Sequence, residues 1–215
     1  MTVKRMMKKN PITTTAETSI VDVADILKEN HIHRLPVLDK KGKLIGVITE
    51  KDILHASPSP VSSLSVYEMP YMLSRLKVSN LMTKDVRTID PDTTVEEAAK
   101  IMVDDDLSCL PVIEGEKLVG IVSKSDMFKV LYELFGSLVK GTRVTFLFNQ
   151  RSGEISRLST ALANKGFDII SIGTFVDKGE KDGVLTTIKV RTENSEGVLE
   201  VLRPIVKEIL DVRVV

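Results

Sequence analysis

Leu44-Ile45-Gly46-Val47-Ile48-Thr49-Glu50-Lys51-Asp52 and Leu118-Val119-Gly120-Ile121-Val122-Ser123-Lys124-Ser125-Asp126 are two copies of one stretch. Each reads as a short apolar strand running directly into a helix. A hydroxyl side chain stands at the junction and a carboxylate follows three residues later, the spacing of a capping box. The glycine inside each strand admits the close approach of another backbone or of a ligand. The helix start turns unpaired N–H groups and a positive dipole end toward any anion. The junction is therefore where a ligand is expected.

Upstream of this stretch the repetition continues. Val3, Met7, Lys9, Thr13, Thr18, Ala24, Ile26, Leu35, Pro36 and Val37 recur as Val78, Met82, Lys84, Thr88, Thr93, Ala99, Ile101, Leu110, Pro111 and Val112, at a constant offset of 75. After one gap in the hairpin the offset becomes 74, matching Lys43, Leu44, Gly46 and Asp52 to Lys117, Leu118, Gly120 and Asp126. A repeat of roughly 50 residues is a supersecondary unit that cannot bury its apolar face alone. The two copies are expected to pack sheet to sheet about a pseudo-twofold axis.

Each unit has the same internal order. Ser19 with Asp22, and Thr94 with Glu97, cap a helix with one apolar stripe. A strand over 32–38 or 107–113 follows, then a polar turn and the quoted strand and helix. The segment Ser57-Pro58-Ser59-Pro60-Val61-Ser62-Ser63 reads as a loop. Residues 66–77 read as a short helix whose Tyr67, Met69, Tyr71 and Met72 form a packing or partner face. Met127, Val130, Leu131, Leu134 and Phe135 give the last helix a stripe wide enough for core and partner together, with Gly136 as its stop.

Composition narrows the function. Thirty basic and 30 acidic residues give no net charge, hence no basic footprint for nucleic acid. The apolar runs are too short to span a bilayer and Met1-Thr2-Val3-Lys4-Arg5 lacks a signal-peptide core, so the reading is a cytoplasmic protein without membrane association. Cys109 is the only cysteine, which leaves no thiolate cluster for a metal; it reads as a small buried hydrophobe. His31 and His33, placed two apart on one strand face, lack a third metal ligand. Neither a Ser/His/Asp set nor a phosphate-cradling glycine loop is present, so no catalytic residue is assigned and the chain is not read as an enzyme.

The paired units, each ending in Gly-x-Ile/Val-Thr/Ser-x-x-Asp, resemble the two cystathionine-β-synthase (CBS) motifs of a Bateman module over residues 1 to 135. The resemblance implies an adenine nucleotide or related adenosyl ligand between the repeats, with AMP, ADP, ATP, S-adenosylmethionine and NADH as candidates, no required cofactor, and a homodimer. Carried over by position, Thr49 and Ser123 approach phosphate or ribose oxygens, and Asp52 and Asp126 bind ribose hydroxyls. His33-Arg34-Leu35-Pro36-Val37 resembles a segment whose basic residues reach phosphate while its apolar residues, Pro36 here and Pro111 in the second copy, flank adenine. Ser108 and Cys109 stand at the basic positions of the second copy. The resemblance pairs Ser123 and Asp126 with His33 and Arg34, and Thr49 and Asp52 with Ser108 and Cys109, which makes the two pockets unequal.

After residues 136–141, read as a linker, the pattern changes to β-α-β-β-α-β over 142–215, with Pro204 expected to kink or break the second helix. This order, with the loop Asn149-Gln150-Arg151-Ser152-Gly153-Glu154-Ile155, resembles an ACT domain, a ferredoxin-like regulatory unit. Gly153 and Ile155 keep that family's loop pattern, while Gln150 and Ser152 replace its acid and its proline. Gln150, Gly153 and Ile155 are thus a candidate amino-acid site, and pairing or partner contact is the expected main role. The expected fold class is α/β (α+β), with repeat 1 over 1–56, a connection over 57–77, repeat 2 over 78–135 and the ACT-like domain over 142–215. The arrangement resembles the AcuB family of acetoin utilisation. It suggests a sensor acting on a regulated protein partner, with a structural dimerisation or adaptor module as the alternative.

Overall fold

Ser19 and Thr94 begin the first helix of each repeat, α1 (Ile20–Glu29) and α4 (Val95–Asp104). Their hydroxyls accept the N–H of Asp22 at 3.1 Å and of Glu97 at 3.2 Å, satisfying one orphan donor of each helix start. Both helices end alike. His31 and Asp106 take left-handed backbone, with φ of 51° and 48°. The next residues, Ile32 and Leu107, donate back to Leu27 and Met102 at 3.0 and 2.9 Å, closing a Schellman turn. His31 therefore lies in a turn ahead of the strand, which begins at Arg34. The expected shared strand face for His31 and His33 is not formed.

The computed structural model describes residues 1–56, 75–148, 151–176 and 183–215. The loop expected over 57–63, and Tyr67, Met69, Tyr71 and Met72, lie outside the described residues. The chain divides into two units, Met1–Met127 and Phe128–Val215. In the first, β3 (Arg34–Leu38) and β4 (Leu44–Thr49) pair antiparallel, and β2 (Thr14–Thr15) runs parallel to β3. In the second repeat β5 (Cys109–Glu114) and β6 (Lys117–Ser123) pair antiparallel, and Ile89 bridges Val112 in parallel, as β2 does in the first. Helices α2 (Glu50–Ala56) and α5 (Lys124–Leu134) follow directly.

The repeats exchange their leading segments. Strand β1 (Lys8–Lys9) pairs with β6 of the second repeat, and Val3 is fully buried in that repeat's core with Leu110, Val112 and Val122. Reciprocally, α3 (Val78–Leu81) delivers Val78 to the first repeat's core beside Leu35, Val37 and Ile48. Thr83 then exchanges backbone hydrogen bonds with Val47 at 2.9 and 3.0 Å. Burying each valine contributes about 1.5–3 kcal/mol. The repeated strand glycines serve this exchange. A Cβ on Gly46 would lie 2.7 Å from the Met82 sulfur and 2.9 Å from the Thr83 carbonyl, and one on Gly120 would lie 2.5 Å from the Met7 sulfur.

The second unit is a four-stranded antiparallel sheet in the order β10 (Glu208–Val214), β7 (Thr142–Phe148), β9 (Val184–Val190), β8 (Ile169–Val176). Helices α6 (Glu154–Asn164) and α7 (Ser195–Leu202) complete the expected β-α-β-β-α-β order. Val144, Phe146, Leu158, Leu162, Ile188, Val198 and Leu202 form its core. Pro204 stands just beyond the last turn of α7, so it ends the helix. Among the described residues no helix is long and apolar enough to cross a membrane.

Candidate functional site

Strand register sorts the site residues. The pairs Arg34↔Thr49 and Pro36↔Val47 share one face of the first hairpin, while Leu35, Val37 and Ile48 point the other way into the core. In the second hairpin Cys109↔Ser123 and Pro111↔Ile121 share a face, and Leu110, Val112 and Val122 are core. The two site faces meet across the repeats. A cavity of about 130 Å³ is lined by Val47 and Thr49 from the first repeat, by Ser108, Cys109 and Pro111 from the second, and by Thr83, Asp85 and Arg87.

Both strand–helix junctions form reciprocal capping boxes. Asp52 Oδ2 accepts the Thr49 N–H at 2.8 Å and its hydroxyl at 2.7 Å, and Thr49 Oγ1 accepts the Asp52 N–H at 3.2 Å. Asp126 Oδ2 accepts the Ser123 N–H at 2.9 Å and its hydroxyl at 2.6 Å, with the Asp126 N–H to Ser123 Oγ at 3.4 Å. Each carboxylate is thereby fixed beside its hydroxyl, its charge at a helix N-terminus.

The basic pair of the first repeat separates. Arg34 crosses to the second repeat, where its guanidinium donates to the Ser108 carbonyl. That carbonyl also accepts the N–H of Lys124, the residue after Ser123, at 3.1 Å. His33 instead bonds Glu50 of its own repeat at 2.8 Å. It lines a different cavity, of about 350 Å³, with Leu27, Lys28, His31 and Ile53. The Cys109 thiol is pushed up by burial, which the nearby Arg34 charge opposes. Lys43 and Glu116 tie the two hairpins at 2.9 Å. This bond raises Lys43 and lowers Glu116, but an exposed pair contributes little stability. Among the described residues no three His, Cys, Asp or Glu side chains converge on a metal position.

In the second unit Gly153 has φ of 87° at the start of α6. It lines a cavity of about 420 Å³ with Arg151, Ile155, Phe148 and Thr174. Gln150 lies outside the described residues. Glu154, buried at the first position of α6, is held by Arg157 at 3.2 Å.

The CBS domain signature matches residues 3–59 and 78–133. The chain belongs to the CBS domain family. A CBS domain pair of protein MJ0100, solved in complex with 5′-methylthioadenosine and S-adenosyl-L-methionine, is 30% identical, with a TM-score of 0.52 over 62% of this chain and 97% of that one. A Vibrio cholerae protein assigned to acetoin utilization (AcuB) is 25% identical, with a TM-score of 0.54 over 64% of this chain and 95% of that one. CBSX2 in complex with AMP is 25% identical, with a TM-score of 0.53 over 61% and 97%.

Within the CBS pair, sequence reasoning singled out Thr49 and Pro111, which share a cavity, but missed the contribution of Thr83, Asp85 and Arg87. The recurrence of Met7 and Lys9 as Met82 and Lys84 marked this segment as part of the unit. Only the exchange between repeats brings it to the cleft.

Proposed function

We propose that this CBS pair is a non-catalytic cytoplasmic sensor that binds an adenosyl ligand, with a phosphorylated nucleotide such as AMP held between Ser123 and Asp126 of one repeat and Arg34 of the other. The reach of Arg34 to the acceptor it shares with Lys124, one residue past Ser123, is the observation that carries this reading. At that place a guanidinium, a helix start and a hydroxyl converge, the donor set that phosphate takes. Asp126, fixed by its capping box, accepts ribose hydroxyls. His33 is held by Glu50, so Arg34 is the principal phosphate donor. The likeness to protein chains solved with AMP and with methylthioadenosine and S-adenosylmethionine supports the ligand class.

In this reading the other cleft, at Thr49, Asp52 and Pro111, takes its strand positions from Ser108 and Cys109; its Arg87 is paired with Asp105 at 3.8 Å and shares the cavity with Asp85, so it binds phosphorylated ligands more weakly. The CBS pair works as a homodimer. Phe128, Leu131 and Leu134 are exposed apolar side chains on α5 and supply its contact. The second unit acts as an ACT-type domain that transmits the bound state to a partner protein. Acetoin utilisation is the pathway suggested by likeness to the Vibrio protein.

A thermal-shift panel of AMP, ADP, ATP, NADH, S-adenosylmethionine and amino acids tests the class. A ligand at 100 times its dissociation constant stabilises by about 2.7 kcal/mol. Adenosyl compounds should raise the midpoint and amino acids should not. A flat panel with an intact dimer would establish the adaptor reading instead.

A further inference from the structure

Arg34 stands opposite Thr49 on the first hairpin and reaches the backbone of the second. Its guanidinium ends beside the Ser123–Lys124 junction, yet the carbonyl it holds belongs to Ser108. Ser108 and Cys109 form a wall of the cavity that contains Thr49. At about 130 Å³ that cavity is well below the roughly 300–1,000 Å³ of ligand clefts, so movement of a wall gives an adenosyl group more room. The link is not duplicated, because Cys109 stands where Arg34 would recur. A neutral carbonyl is also the weaker acceptor. Charge-assisted bonds to phosphate are roughly twice as strong as neutral ones.

From this juxtaposition we infer that Arg34 couples the two clefts. Bound to Ser108 it keeps the Thr49 cleft narrow, and a phosphate arriving beside Ser123 draws it away and lets that cleft open. The inference rests on the Ser123 cleft being the nucleotide site. It gives the protein a rule of occupancy. A nucleoside monophosphate in the first cleft promotes an adenosyl ligand in the second, while a nucleoside without phosphate does not, and the promotion is reciprocal.

Cys109 reports the state of the wall, and as the only cysteine it can be followed in the full chain with iodoacetamide. Burial is the larger influence on its thiol and the Arg34 charge the smaller, so opening the cleft speeds alkylation even as the cation leaves. One equivalent of AMP per chain should accelerate labelling several-fold, and adenosine should leave it unchanged. Arg34→Met, which keeps the stem and loses the donors, should label fast with or without AMP. Calorimetry on the same samples separates the two levels. If AMP binds and labelling stays slow, or if Arg34→Met labels as slowly as the parent, the coupling is overturned and the nucleotide site stands. If AMP does not bind, the nucleotide reading and the coupling fall together. Should Arg34→Met not fold, the comparison of AMP with adenosine on the parent chain decides alone.

Discussion

Thr49 and Ser123 each do two jobs. The hydroxyl accepts a helix N–H and donates to the carboxylate three residues on, so replacing either with alanine should cost about 1 kcal/mol with no ligand present. This cost must be subtracted before any loss of binding is assigned to the hydroxyl. Thr14 presents the opposite case. It is buried, and its hydroxyl has no hydrogen-bond partner among the described residues, while Ile89 holds the equivalent place in the second repeat. Thr14→Val should therefore raise stability by about 1 kcal/mol, seen as a higher urea midpoint at unchanged slope. A lower midpoint would mean that the hydroxyl is satisfied. The capping boxes were legible because their chemistry is local and fixed by a three-residue spacing. The separation of His33 and Arg34 was not, because adjacent residues at a strand entrance diverge by an amount only the packing decides.

At the scale of elements, the first strand of the second unit was readable from the alternation of Val144, Phe146 and Phe148. One face of that sheet is core, so a slip by one residue would expose it all. The exchange of leading segments was not readable. A sequence offset shows that Val3 and Val78 are equivalent, but it does not show which repeat each one enters. Gly46→Ala tests the exchange, since its Cβ would meet the Thr83 carbonyl at 2.9 Å and backbone cannot swing aside as a side chain can. The substitution should destabilise by about 1–3 kcal/mol in thermal or chemical unfolding. A neutral result would show that the 82–83 segment is loosely held. The turn after α1 offers a gain instead. His31 occupies a left-handed position at φ 51°, where glycine has no Cβ penalty. His31→Gly should stabilise by several tenths of a kcal/mol up to about 1, net of the greater freedom of the unfolded chain. A loss would point to a role for the imidazole in the cavity it shares with His33.

For the whole molecule, α5 divides its apolar residues. Met127 packs on the second repeat's core and Phe135, the residue after the helix, stacks on Phe175 at 6.0 Å, but Phe128, Leu131 and Leu134 remain exposed. Light scattering should find a dimer at tens of micromolar, where an association of about −8 kcal/mol is mostly formed, and Leu131→Asp with Phe128→Asp should release monomer. The nucleotide site we propose is built across the repeats, and its two copies are unequal. Calorimetric titration of AMP into the parent chain, Asp126→Ala and Asp52→Ala tests this most directly, because both substitutions remove the same carboxylate from equivalent capping boxes. A charge-assisted bond contributes about 1.5–3 kcal/mol. Asp126→Ala should therefore weaken the tight event by tenfold or more, and Asp52→Ala should leave it nearly intact. Loss of tight binding in Asp52→Ala with retention in Asp126→Ala would contradict the account and assign the principal site to Thr49 and Asp52.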